Sequence, residues 1–230
     1  MKTIDSFINE KLIINKNTKI NKYHYHPEDK NELKELIERL IGERGNNADL
    51  NDIDVSKITN MTGLFLNSQF NGDISEWDVS NVTNMEDMFR TSKFTGKNGD
   101  ISTWDVSNVE DMNSMFNYSS FTGDISKWDV SSVKDTGNMF GYSKFNGDIS
   151  KWDVRNVRNM SSMFRGTQFN NDISNWDVSN VKMMNYMFYQ SKFTGENGDI
   201  SKWNTKNVKT MNKTFLESPL EKNPPKWYHE

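Results

Sequence analysis

Seven tryptophans mark this chain at near-constant intervals. Trp77, Trp104, Trp128, Trp152, Trp176, Trp203 and Trp227 are separated by 27, 24, 24, 24, 27 and 24 residues. A period of this size is the signature of stacked structural copies, because one such unit cannot bury its own apolar face and must cover it with the next. The two long intervals carry three extra residues at one point. Ordinary junctions read FNGDIS or FTGDIS, whereas the long ones read FTGKNGDIS (Phe94 to Ser102) and FTGENGDIS (Phe193 to Ser201), which places a surface loop there. Run backwards, the register gives a first, Trp-less copy in which Leu50 and Ile53 stand for the repeating Ile and Trp. Run forwards, it ends where Pro224 and Pro225 replace the Ile-Ser step.

Within the copy GDISEWDVSNVTNMEDMFRTSKF, the apolar positions are Ile74, Trp77, Val79, Val82, Met85, Met88, Phe89 and Phe94. Met85, Met88 and Phe89 lie at i, i+3 and i+4, which predicts a short helix capped by Asn81 or Asn84, and ISEWDVS predicts one or two very short strands. The expected fold class is therefore an α/β repeat solenoid of about seven ~24-residue units with parallel strands. At ~4.8 Å per rung it is roughly 34 Å long. In HPEDKNELKELIERLIGERG, Pro27 suits a first helical turn, Glu28 and Asp29 suit the positive end of the dipole, and Gly45 suits a stop. The stripe Leu33, Leu36, Ile37, Leu40 and Ile41 is expected to cap the first copy. The domain reading is a leader and capping helix over 1–48, repeats over 49–227 and a tail over 228–230, with Trp227 closing the last copy.

Composition excludes several classes. There is no cysteine, hence no disulfide and no thiolate chemistry. No stretch approaches the ~20 apolar residues of a membrane span. Leu12-Ile13-Ile14 is too short for a signal peptide, so the expected location is the cytoplasm. The formal charge is -4 but uneven: residues from Ile125 onward hold 15 Lys+Arg against 11 Asp+Glu, leaving 13 against 21 for residues 1–124.

Two aspartate ladders run through the copies. One follows the Trp position (Asp54, Asp78, Asp105, Asp129, Asp153, Asp177) and one precedes the Ile (Asp49, Asp73, Asp100, Asp124, Asp148, Asp172, Asp199). Stacked carboxylates need compensation, either by calcium or by backbone N–H groups in Asx turns. The turn reading fits the strings Asp-Val-Ser and Gly-Asp-Ile better. His24 and His26 are spaced to share a metal, or form an ordinary surface pair. No phosphate loop, nucleophile elbow or zinc signature occurs, so no enzyme, no cofactor and no small-molecule substrate are expected.

The columns that vary between copies carry the recognition expectation. After Asn-Val the residue runs Thr59, Thr83, Glu110, Lys134, Arg158, Lys182, Lys209, and before Trp it runs Glu76, Thr103, Lys127, Lys151, Asn175, Lys202, Lys226. Both turn basic in the C-terminal copies. Lys127, Lys134, Lys151, Arg158, Lys182, Lys202 and Lys209 are thus either a solvated face kept soluble by lysine or a candidate partner-binding stripe for an anionic protein surface, with nucleic-acid phosphates second. Tyr118, Tyr142, Tyr186 and Tyr189 are candidate contact anchors.

The string WDVSNVTNMEDMF, restated as WDVSNVEDMNSMF, WDVRNVRNMSSMF and WDVSNVKMMNYMF, resembles the bacterial surface-protein repeat of about 25 residues, found in Mycoplasma-type lipoproteins, Listeria surface proteins and BspA-like leucine-rich-repeat proteins. That resemblance covers residues 49–227. It implies a right-handed leucine-rich-repeat-like solenoid that binds another protein and does not catalyse. The chain departs from typical members in showing no secretion signal, lipobox cysteine or wall anchor, so the bacterial surface or adhesin-type role stands here as an alternative to a cytoplasmic binder. MKTIDSFINEKL resembles the leader of T4-type phage internal proteins, and Ile4, Phe7, Ile8 and Leu12 alternatively form an ordinary helical stripe. The resemblance implies a phage-borne protein, either a binder of a host protein or a packaged structural one.

Overall fold

The computed structural model describes residues 22–229. Each repeat copy forms one turn of chain that hydrogen-bonds to the copies before and after it. All eight apolar positions of the Trp77 copy are buried, none more than 4 % exposed. Leu50 and Ile53 are fully buried in the Trp-less first copy. The core is a set of aromatic columns. Phe65, Phe89, Phe116, Phe140, Phe164, Phe188 and Phe215 stack with ring centroids 5.3, 5.6, 6.0, 6.0, 5.7 and 5.6 Å apart. Phe70, Phe94, Phe121, Phe145, Phe169 and Phe193 form a second column at 6.1–6.5 Å.

The tryptophan recurs because the site needs a large ring with one donor. Every indole N–H points to the carbonyl of the Ile, or in the first case Leu, one copy back. Trp77 donates to Leu50 at 2.9 Å, Trp128 to Ile101 at 3.0 Å, Trp152 to Ile125 at 3.1 Å and Trp227 to Ile200 at 2.8 Å. Trp104, Trp176 and Trp203 donate likewise. A phenylalanine there would fill space and leave a buried carbonyl without its partner.

The expected helix and strands within each copy do not form. Among the described residues the only α-helix is α1, Lys30–Arg44, and the only other helical element is a 3-10 turn at Ile200–Lys202. Residues 85–92 are instead linked β-turns. Met88 and Ser92 donate back three residues to Met85 and Phe89 at 3.2 and 3.1 Å. The alternate N–H groups of Met85, Asp87, Phe89 and Thr91 donate sideways to Asp111, Asn113, Met115 and Asn117 at 2.8–2.9 Å. A helix would direct every N–H along its own axis and leave the neighbouring copy unpaired. Two left-handed residues four apart make the alternation possible, as at Asp87 and Thr91 (φ 55° and 56°), Ser114 and Tyr118, Asn138 and Tyr142, and Tyr186 and Gln190. The i, i+3, i+4 burial pattern was therefore right and the helical conformation wrong, since consecutive turns return to the inner face at the same spacing. Strand-like pairing is reduced to single parallel bridges running Asn60, Asn84, Asp111, Asp135, Asn159, Met183, Thr210.

Buried and partly buried residues also meet the core at both ends of the described chain. Helix α1 buries Leu33, Ile37 and Leu40 on the core, with Leu36 and Ile41 partly buried beside them. Its N-cap is Asp29, whose carboxylate accepts from Asn31 and Glu32 N–H at 2.7 and 3.0 Å, and Gly45 (φ 85°) ends it. Pro27 precedes the cap and does not lie in the first turn. Before α1, Tyr25 pairs with Ile53 as a rung ahead of the first copy. At the far end Trp227 stacks on Trp203 at 6.0 Å and Tyr228 meets Phe215 edge-on at 5.1 Å. Ile4, Phe7, Ile8 and Leu12 lie outside the described residues.

Candidate functional site

Each copy has two arms. The arm from Gly-Asp-Ile to Asn-Val repeats almost unchanged, and its polar side chains are used up inside the array. Every ladder aspartate accepts the backbone N–H two residues on, for example Asp73 from Ser75 at 2.9 Å, Asp105 from Ser107 at 3.1 Å and Asp172 from Ser174 at 2.8 Å. The Ser107 hydroxyl and N–H hold the Asp105 carboxyl below the usual range, and the Ser126 N–H and hydroxyl do the same for Asp124. The ladders are thus Asx turns. His24 and His26 each face a carboxylate of the first copy, Asp52 at 3.3 Å and Asp54 at 3.2 Å. Asn81, Asn108, Asn156, Asn180 and Asn207 each donate an amide N–H to a carbonyl of the preceding copy at 2.7–2.9 Å.

The second arm begins after Asn-Val and is the variable one. Its first column is held in register by the backbone: Lys134 N–H donates to Glu110, Arg158 to Lys134, Lys182 to Arg158 and Lys209 to Lys182, each at 2.8 Å. The four cations therefore stand on successive rungs. Lys134 pairs with Glu110 at 2.7 Å, while among the described residues Arg158, Lys182 and Lys209 form no ion pair. Glu110, Ser132, Lys134, Asn156, Arg158, Asn180 and Lys182 line an open groove of about 720 Å³.

The rest of the expected stripe is a separate row. Lys127 and Lys151 border a smaller recess with Ser126 and Asp148. Lys127, Lys151 and Lys202 lie close enough to Asp124, Asp148 and Asp199 to help keep those carboxyls ionised, after the larger contribution of the serine N–H and hydroxyl groups. Among the described residues Lys127, Lys151 and Lys202 form no ion pair, and in the groove row only Lys134 does.

The same arm gathers the tyrosines. Tyr118 and Tyr142 stack at 4.7 Å, and the Tyr142 hydroxyl lies 3.4 Å from Gln190 two copies on. Arg165 lies among three rings, its guanidinium carbon 5.3 Å from the centroid of Tyr142, 5.5 Å from Tyr186 and 4.9 Å from Tyr189. Tyr142 reaches it because position 166 is glycine: a Cβ there would come within 2.4 Å of the Tyr142 ring. Sequence reasoning named the four tyrosines and missed Arg165, Gln190 and the exposed Met183. Only aligning the copies on Trp and reading the outer columns would have found them.

At the other end this arm is acidic. Burial raises the Asp111 carboxyl, with the nearby Asp135 and Asp87 adding to it, and burial together with Asp111, Asp87 and Asp135 raises Glu86. Asp135 is satisfied by Asn159 at 3.0 Å and Asn113 at 3.1 Å. One face thus runs from carboxylates in the early copies to cations and tyrosines in the late ones.

Comparison with curated proteins and with solved structures returns no match. A family model described as Mycoplasma protein of unknown function, DUF285, matches twice in tandem, over residues 32–144 and 117–227. The matches take in α1 as well as the copies, and with the periodic buried aromatics they establish that this repeat chain belongs to the DUF285 family.

Proposed function

We propose that the chain is a non-enzymatic protein-binding repeat module that grips one partner along its variable arm. The observation that carries this reading is the division of labour between the arms. Carboxylates of the constant arm are committed to backbone turns, whereas the variable arm presents Arg158, Lys182 and Lys209 without acidic partners on consecutive rungs. In this reading the copies wind as a right-handed leucine-rich-repeat-like solenoid, akin to the surface-protein repeats of Listeria and BspA-like proteins. A phage-borne protein acting on a host protein in the cytoplasm fits it.

The test uses the intact chain as bait in bacterial lysate, with and without nuclease, beside a variant carrying K134E, R158E, K182E and K209E. One stoichiometric protein retained by the wild type after nuclease and lost by the variant supports the reading. Equal recovery by both removes the groove row from it. The row of cations also favours a second reading, binding of nucleic-acid phosphates, which requires nuclease-sensitive capture and an affinity falling steeply with salt.

A further inference from the structure

Arg165 is the one cation of the variable arm that the fold has immobilised without satisfying. Its Nε is buried with no acceptor, and among the described residues its guanidinium enters no hydrogen bond or ion pair. Three tyrosine rings fix its position. Glu217, which meets Tyr189 of the cluster, is itself held by the Tyr189 hydroxyl at 3.2 Å and the Gln190 amide at 2.7 Å. The rings are themselves ordered: Tyr118 stacks on Tyr142, Tyr142 lies over Gly166, and Tyr186 meets Tyr189 edge-on at 5.8 Å. Tyr118 remains 56 % exposed. A pre-positioned arginine fork framed by rigid tyrosines is the composition of an interface hot spot, since little conformational entropy remains to be lost on binding. A guanidinium already fixed in orientation donates two N–H groups side by side to the two oxygens of a carboxylate.

Resting on the binding-module reading, we propose that the Tyr118, Tyr142, Arg165, Tyr186 and Tyr189 cluster is its anchor and docks an acidic protein segment, one Asp or Glu carboxylate seating on Arg165 between the rings. Charge decides for a protein against a nucleic acid. A polyphosphate carries charge along its whole length and would meet Glu110, Asp111 and Asp135 beside the cation row of a chain with net charge -4. A single acidic side chain needs only one local cation, and Arg165 among the rings supplies it.

The experiment selects a displayed library of random 12-residue peptides on the intact protein, then measures recovered peptides against R165M, Y189A and the wild type by fluorescence anisotropy. Near-UV circular dichroism of the stacked tryptophans confirms that each variant keeps its fold. The expected result is a set of peptides sharing an Asp or Glu whose replacement by Asn or Gln, like R165M, weakens binding by about 30-fold. Recovered peptides without an acid, equal binding by R165M, or no enrichment over R165M overturns the proposal. Tighter, Arg165-dependent binding of a labelled uridine 12-mer also overturns it, in favour of the nucleic-acid reading. If the protein captured in the pull-down binds R165M and wild type equally, the module reading stands and this anchor falls.

Discussion

The two arms of each copy share one frame and obey different rules. In the constant arm the repeated polar groups have tasks inside the array: the aspartate holds its turn, the asparagine reaches the copy behind, and the tryptophan bonds a carbonyl one copy back. In the variable arm alternate backbone N–H groups donate sideways from copy to copy whatever the side chain, and side-chain bonds such as those of Asn113 and Asn159 to Asp135 or Gln190 to Glu217 join only particular copies. Outer side chains there are free to differ, and they do: the position held by Arg165 is Arg90, Asn117, Gly141 and Tyr189 in other copies. Repetition reports where side chains hold the fold, and variation reports where the backbone has relieved them of it.

The contrast breaks first at the tryptophans. Trp128→Ala removes a ring 3 % exposed and strands the Ile101 carbonyl, and the expected cost is about 3–5 kcal/mol in urea unfolding. Tyr118→Ala, on the other arm, is expected to change stability by less than about 0.5 kcal/mol while weakening partner binding. A comparable loss of stability at both sites would refute the division between the arms.

A glycine tests whether the variable arm has any frame of its own. At Gly166 φ is 64° and an added Cβ would run into Tyr142. Gly166→Ala is expected to cost about 1–2 kcal/mol and to release Tyr142 from Arg165, read as lost tyrosine ellipticity. If Tyr142 stays against Arg165 in the variant's crystal structure, the glycine is not what admits the ring.

A gap in the constant arm gives the converse case. Ser132 occupies the place of Asn81, Asn108, Asn156, Asn180 and Asn207, and it has no amide to send backwards. By the register of Asn156, which donates to Ser131, an asparagine at 132 donates to the Ser107 carbonyl. Ser132→Asn is expected to stabilise the chain by about 0.5–1 kcal/mol, raising the urea midpoint at unchanged slope. No gain would mean that this ladder is ornament to the fold.

Much of this architecture was legible in the sequence because it is spelled out seven times. The tryptophan ruler located the copies, the Trp-less first copy and both caps, and each apolar position named in the Trp77 copy is buried. The backbone conformation was not legible. Met85, Met88 and Phe89 recur at helical spacing, yet consecutive turns with left-handed residues at Asp87 and Thr91 share that spacing. What separates the two is where the N–H groups go, a property of the neighbouring copy and not of the local string. Arg165 was invisible for a related reason: its partners Tyr142 and Tyr189 lie 23 and 24 residues away, and its own column has no rule. The expected stripe of seven cations likewise divides into two rows, one beside Asp124, Asp148 and Asp199 and one along the groove, a difference set by position within the copy.

The smallest effect is the most diagnostic of pH. Asp111 stands in the bridge column between Asn84 and Asp135, and its carboxylate accepts the Asn113 N–H at 2.8 Å as Asn84 accepts that of Glu86. Burial, with Asp135 and Asp87 nearby, raises its folded pKa above the unfolded value. For a carboxyl shifted upward the ionised form is the penalised one. The penalty is complete above the folded pKa and fades as pH falls through it towards the unfolded value near 4. Asp111→Asn keeps the turn and deletes the charge, so it is expected to raise Tm by about 1–3 °C at pH 7 and by nothing measurable near pH 3.5. Asp105 behaves oppositely: the Ser107 hydroxyl and N–H lower its folded pKa, so its contribution is present above pH ~4 and lost as pH falls through that lower value. Asp105→Asn should therefore lower Tm at pH 7 and not below that transition. Two aspartates six residues apart, one in each arm, would then respond to acid with opposite sign, and thermal melts of the two variants across pH 3–7 decide whether the arms differ electrostatically as they differ in sequence.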